Sequence, residues 1–211
     1  MSTIFFDLDG TLTDPKEGIA RCIQYALETL GAPAPDTDDL LWCIGPPLKA
    51  SLARLLDGDE DAAGQALALY RERFTETGLY ENAVYDGISD VLSALQADGH
   101  SLFVATSKPH VYAERIVSHF ELDGFFETVF GSELDGTRAD KSELLAYASE
   151  RIGIDVSDAV MIGDREHDMI GARNNGLLGI GVLYGYGTQE ELQAAGAQRL
   201  VASPGSLLAA L

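Results

Sequence analysis

The chain has 211 residues, 46% of them hydrophobic, and carries 34 acidic against 14 basic side chains for a formal charge of −20. That length suits one domain, or a domain with a smaller insert, and the apolar fraction is enough for a sizeable core. The charge argues against nucleic acid or an anionic membrane as partner, because no basic patch is available to neutralise phosphates. The same acidity serves solubility, or life in a salty cytoplasm. No apolar stretch approaches the ~20 residues of a spanning helix, and Asp7 and Asp9 interrupt the N-terminal apolar run that a signal peptide would need. Cys22 and Cys43 make neither a disulfide framework nor a spaced metal set. A reducing cytoplasm is the expected location.

The first predicted element is the strand Thr3–Phe6, which runs straight into Asp7-Leu8-Asp9-Gly10-Thr11-Leu12. Side chains at i and i+2 lie on one side of an extended chain, so Asp7 and Asp9 emerge together where Gly10 lets the backbone turn. Like charges that close need a cation, a shared proton or full solvation.

Asp14-Pro15-Lys16-Glu17 has the form of a capping box with proline at the first helical position. Ile19, Ile23, Ala26, Leu27 and Leu30 then form an apolar face that stops at Gly31. Helices are predicted over Asp36–Cys43, Pro47–Leu56 and Asp59–Thr77, separated by Gly45-Pro46-Pro47 and Asp57-Gly58. No strand pattern appears between Pro15 and Asn82, which predicts an all-helical insert over 15–82. Asp57-Gly58-Asp59-Glu60-Asp61 begins like a calcium loop, but Ala62 stands at the required glycine and Ala68 at the bidentate glutamate.

After the insert, strand and helix alternate. The stripe Ile88, Val91, Leu92 and Leu95 precedes Gly99, and the strand Ser101–Ala105 ends in Thr106-Ser107-Lys108. A stripe of Ile116, Val117 and Phe120 leads to the strand Thr128–Phe130, and Lys141 opens the pattern Leu144, Leu145, Ala148 before Gly153. The strand Ala159–Ile162 ends in Gly163-Asp164 and continues Arg165-Glu166-His167-Asp168, and a last strand covers Gly179–Leu183. These runs alternate poorly, as strands buried on both faces do. The fold class is therefore α/β: a doubly wound, Rossmann-like parallel-sheet core over 1–14 and 83–211 with right-handed crossovers, carrying the helical insert after its first strand.

In an open α/β sheet, ligands bind beyond the carboxyl ends of the strands. An aspartate there is ordinarily a turn or cap residue. Two aspartates, a threonine, a lysine and two more aspartates at one edge, in this order, point to chemistry instead. No P-loop sequence is present, and Gly179-Ile180-Gly181 lies in a strand rather than opening a helix, so it is no dinucleotide fingerprint.

With these residues in view, the chain resembles the haloacid dehalogenase superfamily phosphatases that carry a helical cap. Asp7-Leu8-Asp9-Gly10-Thr11-Leu12 fits the first motif of that family, Thr106 the second, Lys141 the third, and Gly163 to Asp168 the fourth. Thr13 to Ile19, Ile44 to Leu48 and Gly181 to Gly187 resemble the phosphoglycolate phosphatases and related small-molecule phosphatases. The resemblance implies a Mg²⁺-dependent phosphatase acting on a small soluble phosphate ester. It makes Asp7 the nucleophile and Asp9 the acid and base. It assigns the metal to Asp7, the backbone carbonyl of Asp9 and Asp164, with Asp168 as a ligand through water or a brace. Thr106, Ser107, Lys141 and backbone groups around Leu8 to Gly10 would hold phosphate, and Lys49, with Arg54, is the basic candidate for substrate on the cap. Lys108 and His110 are candidates for substrate contact, whereas Arg165 and His167 are read as solvated or supporting. Phosphoglycolate, nucleoside monophosphates, sugar phosphates, pyrophosphate and aromatic phosphates all remain open, as does the choice between monomer and homodimer. A phosphomutase would keep every one of these motifs. A dehalogenase would not use Asp9 in this way, and a non-enzymatic scaffold would not need Asp7, Asp9, Thr106, Lys141 and Asp164 together.

Overall fold

Strands that are apolar on both faces must be covered by helices on both faces, and the order of elements shows this pattern. The computed structural model describes residues 2–154 and 156–211. Its strands are β1 (Thr3–Phe6), β2 (Thr13–Asp14), β3 (Ala83–Val84), β4 (Ser101–Pro109), β5 (Thr128–Ser132), β6 (Ala159–Gly163), β7 (Leu178–Val182) and β8 (Arg199–Val201). Its α-helices are α1 (Lys16–Thr29), α2 (Leu48–Leu55), α3 (Glu60–Arg73), α4 (Ile88–Ala97), α5 (His110–His119), α6 (Lys141–Ile152), α7 (Glu166–Asn175) and α8 (Gln189–Ala195). The chain divides into two compact units, Met1–Asp14 with Val84–Leu211, and Pro15–Ala83. Among the described residues no helix is long and apolar enough to cross a membrane.

The first unit is a six-stranded sheet in the order β5-β4-β1-β6-β7-β8, parallel throughout. From β1 the chain builds outward to β4 and β5, then returns to the other side of β1 for β6 to β8. The strand order therefore reverses beside β1, and such a switch point opens a crevice at the carboxyl ends of the strands. In register, Phe6 lies between Val104 of β4 and Ile162 of β6, so the residue after it, Asp7, emerges at the centre of that edge. Phe5, Phe103, Phe130 and Met161 pack with Leu144, Leu145 and Ala148 of α6 on one face. The Phe5 and Phe103 rings are 5.6 Å apart, and those of Phe103 and Phe130 6.1 Å. Ile4, Phe6, Val104 and Ile162 are equally buried, as expected for neighbours in a strand that point to opposite covered faces.

The second unit is helical apart from its last residue: α1, a 3₁₀ stretch Thr37–Cys43, α2, α3 and a π turn Phe74–Gly78. A Cβ on Gly18 of α1 would lie 2.0 Å from the Gly78 carbonyl oxygen, so the contact between α1 and the π turn requires glycine. Arg73 donates to both carboxylate oxygens of Glu81 at 2.7 and 3.0 Å, and Arg21 reaches Glu81 at 3.1 Å. The calcium-like segment is a helix start: Asp59 accepts hydrogen bonds from the Asp61 and Ala62 amides and caps α3.

Several expectations change. The helix begins at Lys16 with Pro15, not Asp14, at the N-cap position, and the Asp14 carboxylate accepts the Tyr186 hydroxyl. The helix expected over Asp59–Thr77 stops at Arg73 and gives way to the π turn. β4 runs past Ala105 to Pro109, since pairing with β5 resumes at Pro109–Ser132 after a break in register beyond Thr106. β8 carries no apolar run long enough to announce it, and pairs with β7 at the edge of the sheet.

Candidate active site

β1 ends where hydrogen bonding to β6 continues one residue further: the Asp7 amide donates to the Ile162 carbonyl at 2.9 Å. The chain then turns sharply, with the Leu8 carbonyl accepting from the Leu12 and Thr13 amides and the Gly10 amide reaching the Thr13 carbonyl at 2.7 Å. Gly10 has φ +81°, and a Cβ there would stand 2.2 Å from Asp164 Oδ2. Only glycine fits, both for the left-handed backbone and for the space.

Lys141 is the first residue of α6, whose start is capped by Asp140 through the Ser142 and Glu143 amides. That cap aims the lysine inward. Its Nζ lies 3.0 Å from Asp7 Oδ1 and 2.8 Å from Asp168 Oδ1, and donates to the Ala105 carbonyl at 2.8 Å. Asp164 follows β6. Its Oδ2 accepts from the Tyr186 amide at 2.8 Å, while its Oδ1 is buried without a hydrogen-bond partner among the described residues. A Cβ on Gly185 would come within 2.3 Å of Asp164 Cβ, and one on Gly187 within 2.0 Å of the Asp164 carbonyl oxygen. Asp168, in the first turn of α7, accepts from the Arg165 amide at 3.1 Å.

Asp7, Asp164 and Asp168 therefore each offer an oxygen within 4.8 Å of the others, and all three are buried. Burial first, then the neighbouring carboxylates, pushes Asp164 well above the usual carboxylate range. Burial likewise raises Asp168 to about 6, against the opposing pull of Lys141. Burial alone would lower Lys141, but Asp168 and Asp7 outweigh it and hold the ammonium protonated. Three carboxylates facing one ammonium leave an excess of negative charge in a dry place. An all-oxygen set with an orphaned, inward-facing oxygen on Asp164 fits a hard divalent cation, and Mg²⁺ needs only one or two carboxylates beside water and phosphate oxygens.

Asp9 stands apart from that cluster. Its Oδ2 is 2.8 Å from Lys108 Nζ, and its Oδ1 is buried without a hydrogen-bond partner among the described residues. Burial raises its pKa, opposed by Lys108. Thr106 is buried, and its hydroxyl oxygen accepts from the Lys108 amide at 3.2 Å. The Ser107 carbonyl accepts from the Ser132 hydroxyl at 2.8 Å.

Other candidates are engaged elsewhere. Lys49 pairs with Glu60 at 3.1 Å in the helical unit, where Arg54 stacks 4.4 Å above the Trp42 ring. His110 pairs with Glu114 and Arg165 with Glu191, both at the surface or half-buried.

Two contacts escape a reading of the sequence by itself. Lys108 was a candidate for substrate contact, but its place inside β4, at the break in pairing between Thr106 and Pro109, and its hold on Asp9 were not legible. The Tyr186 amide holds Asp164 from 22 residues away. The signal for it was present in the glycines at 185 and 187, which permit the close approach. Around that loop, Tyr184 donates its hydroxyl to the Thr11 carbonyl at 3.1 Å, and the Tyr85 ring packs edge-on against Tyr184 at 5.1 Å.

Residues 4–182 match the family described as haloacid dehalogenase-like hydrolase. A 5′-nucleotidase of Pseudomonas aeruginosa is 51% identical over 191 residues, which cover 90% of this chain and 86% of that protein. A phosphoglycolate phosphatase of Caulobacter vibrioides is 35% identical over 208 residues, covering 96% and 87%. The crystal structure of a predicted phosphatase from Clostridium acetobutylicum aligns with a TM-score of 0.95 at 44% identity, covering 100% of this chain and 99% of that one. With its sheet edge, its carboxylates and these likenesses in agreement, the chain belongs to the haloacid dehalogenase-like hydrolase family and is one of its phosphatases.

Proposed function

We propose that this phosphatase is Mg²⁺-dependent and hydrolyses a small phosphomonoester through an aspartyl-phosphate on Asp7. The observation that carries the reading is the position of Asp7, on Lys141 and against Asp164 and Asp168 at the end of β1. A carboxylate nucleophile divides one difficult displacement into two easier ones. Lys141 and the Leu8 amide, the latter 2.8 Å from Asp7 Oδ1, orient that carboxylate. Asp7, Asp164 and the Asp9 carbonyl would hold the cation, with Asp168 bracing Lys141 or bound through water. Bound there, the cation offsets charge on the carboxylates and on the transferring phosphoryl group. Lys141, the Thr106 hydroxyl and amides from Leu8 to Gly10, with Ser107 beside them, meet the phosphoryl oxygens. Donors fixed in place before reaction cost no reorganisation during it. Asp9 gives a proton to the leaving alcohol and recovers one from the attacking water.

The helical unit Pro15–Ala83 serves as the cap and selects the substrate, with Lys49 its basic contact. Its insertion directly after the Asp7-Asp9 segment supports this role. The exposed Lys49–Glu60 pair contributes under about 1 kcal/mol, so Lys49 is easily recruited. The relative that shares half of this sequence is named a 5′-nucleotidase, which puts nucleoside 5′-monophosphates first among candidate substrates and 2-phosphoglycolate second. Cys22 and Cys43 are buried thiols rather than disulfide partners, which suits a reducing cytoplasm.

The test is phosphate release from a panel of these esters and sugar phosphates, with Mg²⁺ or with chelator, using Asp7→Asn as control. Release should vanish without metal and fall by on the order of 10⁴-fold or more in the variant. Release surviving Asp7→Asn would overturn the mechanism. A phosphoenzyme that loses its phosphate to a sugar phosphate faster than to water would identify a mutase.

A further inference from the structure

The chain has four lysines, and Lys108 is the one in the α/β unit for which the phosphatase reading has no use. Lysine is almost never fully buried without a reason. The Lys108 side chain is 6% exposed and that of its partner Asp9 11%, with Nζ and Oδ2 at 2.8 Å. The opposite oxygen of the same carboxylate, Oδ1, is buried and has no hydrogen-bond partner among the described residues. One oxygen is thus pinned and the other left open. The Lys108 amide also donates to the hydroxyl oxygen of Thr106, so the irregular stretch of β4 that sets the lysine is tied to a second residue of the phosphate site.

We infer that Lys108 is a positioning residue for proton transfer: by holding Oδ2 of Asp9 it presents Oδ1 as the oxygen that gives and takes the proton. The inference rests on the proposed reading of Asp7 and Asp9. In the first half-reaction an oxygen of Asp7 bonds to phosphorus, and the bond from phosphorus to the ester oxygen breaks with its electron pair left on that oxygen. The proton on Asp9 Oδ1 moves to it. In the second half-reaction a water oxygen bonds to phosphorus, the bond to Asp7 breaks, and the proton of that water returns to Oδ1. Lys108 forms and breaks no bond in either half. It keeps the carboxylate from rotating between them, and misplacing a reacting group by about 1 Å can cost on the order of a hundredfold in rate.

Leaving groups separate this role from the alternatives. An alkyl alcohol leaves only if protonated, whereas p-nitrophenolate departs as the anion. Single-turnover rates of leaving-group release, which report the first half-reaction alone, are compared between Lys108→Met, Lys108→Gln and the parent at saturating Mg²⁺. The esters are p-nitrophenyl phosphate and whichever of adenosine 5′-monophosphate and 2-phosphoglycolate the parent hydrolyses. We expect this rate on the alkyl ester to fall about 10- to 100-fold, with that on p-nitrophenyl phosphate within about twofold of the parent. In an Asp9→Asn background the same replacement should cost nothing more on the alkyl ester, and Lys108→Arg should recover part of the loss. An equal fall on both esters, or a rise in KM alone, would make Lys108 a phosphate-binding residue and overturn the inference. No fall on either would leave the pair idle and overturn it too. If both replacements fail to fold, as thermal unfolding would show, Lys108→Arg decides alone. It keeps the charge but holds the carboxylate in a different geometry, and must slow the alkyl ester more than the aryl one. Failure of the underlying reading looks different: Asp7→Asn would then retain activity on both esters.

Discussion

The four lysines divide evenly between the two units and behave oppositely in them. In the α/β unit Lys108 and Lys141 are buried on Asp9 and on Asp7 with Asp168. In the helical unit Lys16 and Lys49 reach Asp38 and Glu60 from the surface, with side chains 38% and 55% exposed. A buried lysine on a carboxylate repays its desolvation only when geometry is held fixed, and the sheet edge supplies that rigidity. An exposed pair is worth little and breaks readily. The buried pairs thus sit at the sheet edge beside Asp7 and Asp9, and the exposed pairs on the helical unit, where water competes for each charge.

The largest effect that could break this contrast lies in the glycines. Gly10 and Gly58 both hold left-handed backbone, at φ +81° and +87°. A Cβ at 58 meets nothing within 4 Å, whereas one at 10 meets the carboxylate of Asp164. Gly58→Ala should therefore cost about 1 kcal/mol of backbone strain alone. Gly10→Ala adds overpacking to the strain, for about 2–5 kcal/mol in sum, and displaces Asp164 from its place. Denaturant unfolding of the two variants, with Mg²⁺ titration of the second, measures this. Equal losses would mean that the sheet edge yields as easily as the loop.

A smaller effect concerns protons. In the metal-free protein Asp168 is raised to about 6 and Asp164 well above its ordinary value. A carboxyl group raised on folding contributes stability that is full below its unfolded value, about 4, and is lost as pH rises through the folded value. Asp168 thus progressively destabilises the apo site between about pH 4 and about pH 7, and Asp164 acts with the same sign. Mg²⁺ binds the deprotonated carboxylates, so its effect on Tm should be near zero at about pH 4.5 and grow through this window. At a hundred times its Kd the ion adds about 2.7 kcal/mol. Glu81 and Glu191, lowered on folding, have the opposite sign. Their effect is the same with and without metal, so it cancels in the difference. A pH-independent Tm shift would remove the carboxylate cluster as the site of binding.

What could be read beforehand follows the same division. Asp7 and Asp164 directly follow β1 and β6, and the ends of neighbouring parallel strands share an edge whatever the details of packing, so their approach was legible. Lys141 belongs to a helix start, and its inward aim depends on the Asp140 cap and on the register of α6 against the sheet. Family likeness found it before geometry could. The hold of Lys108 on Asp9, and of the Tyr186 amide on Asp164, are contacts between residues 99 and 22 positions apart, respectively. No local pattern encodes them. Asp14 shows the same limit: its local form placed the start of α1 within one residue, but not its bond to the Tyr186 hydroxyl.

The smallest effect tests whether the helical unit has any rigid charge of its own. The Arg73–Glu81 pair is its one two-pronged ion pair among the described contacts, with side chains 21% and 19% exposed and Arg21 as a third member. Arg73, bound to both oxygens, holds the Glu81 carboxylate below its usual range. Two charge-assisted bonds of this geometry are worth about 1–2 kcal/mol, more than an open surface pair. Glu81→Gln should therefore destabilise the unit by about that amount, and Lys16→Ala by no more than about 0.5 kcal/mol. Hydrogen exchange locates the loss: amides of α1 and of the π turn, which meet at Gly18 and Gly78, should lose protection in Glu81→Gln while those of β1 and β6 keep theirs. If β1 and β6 loosen as well, the two units unfold as one. The contrast drawn from their lysines would then be one of exposure alone, without a difference in local stability behind it.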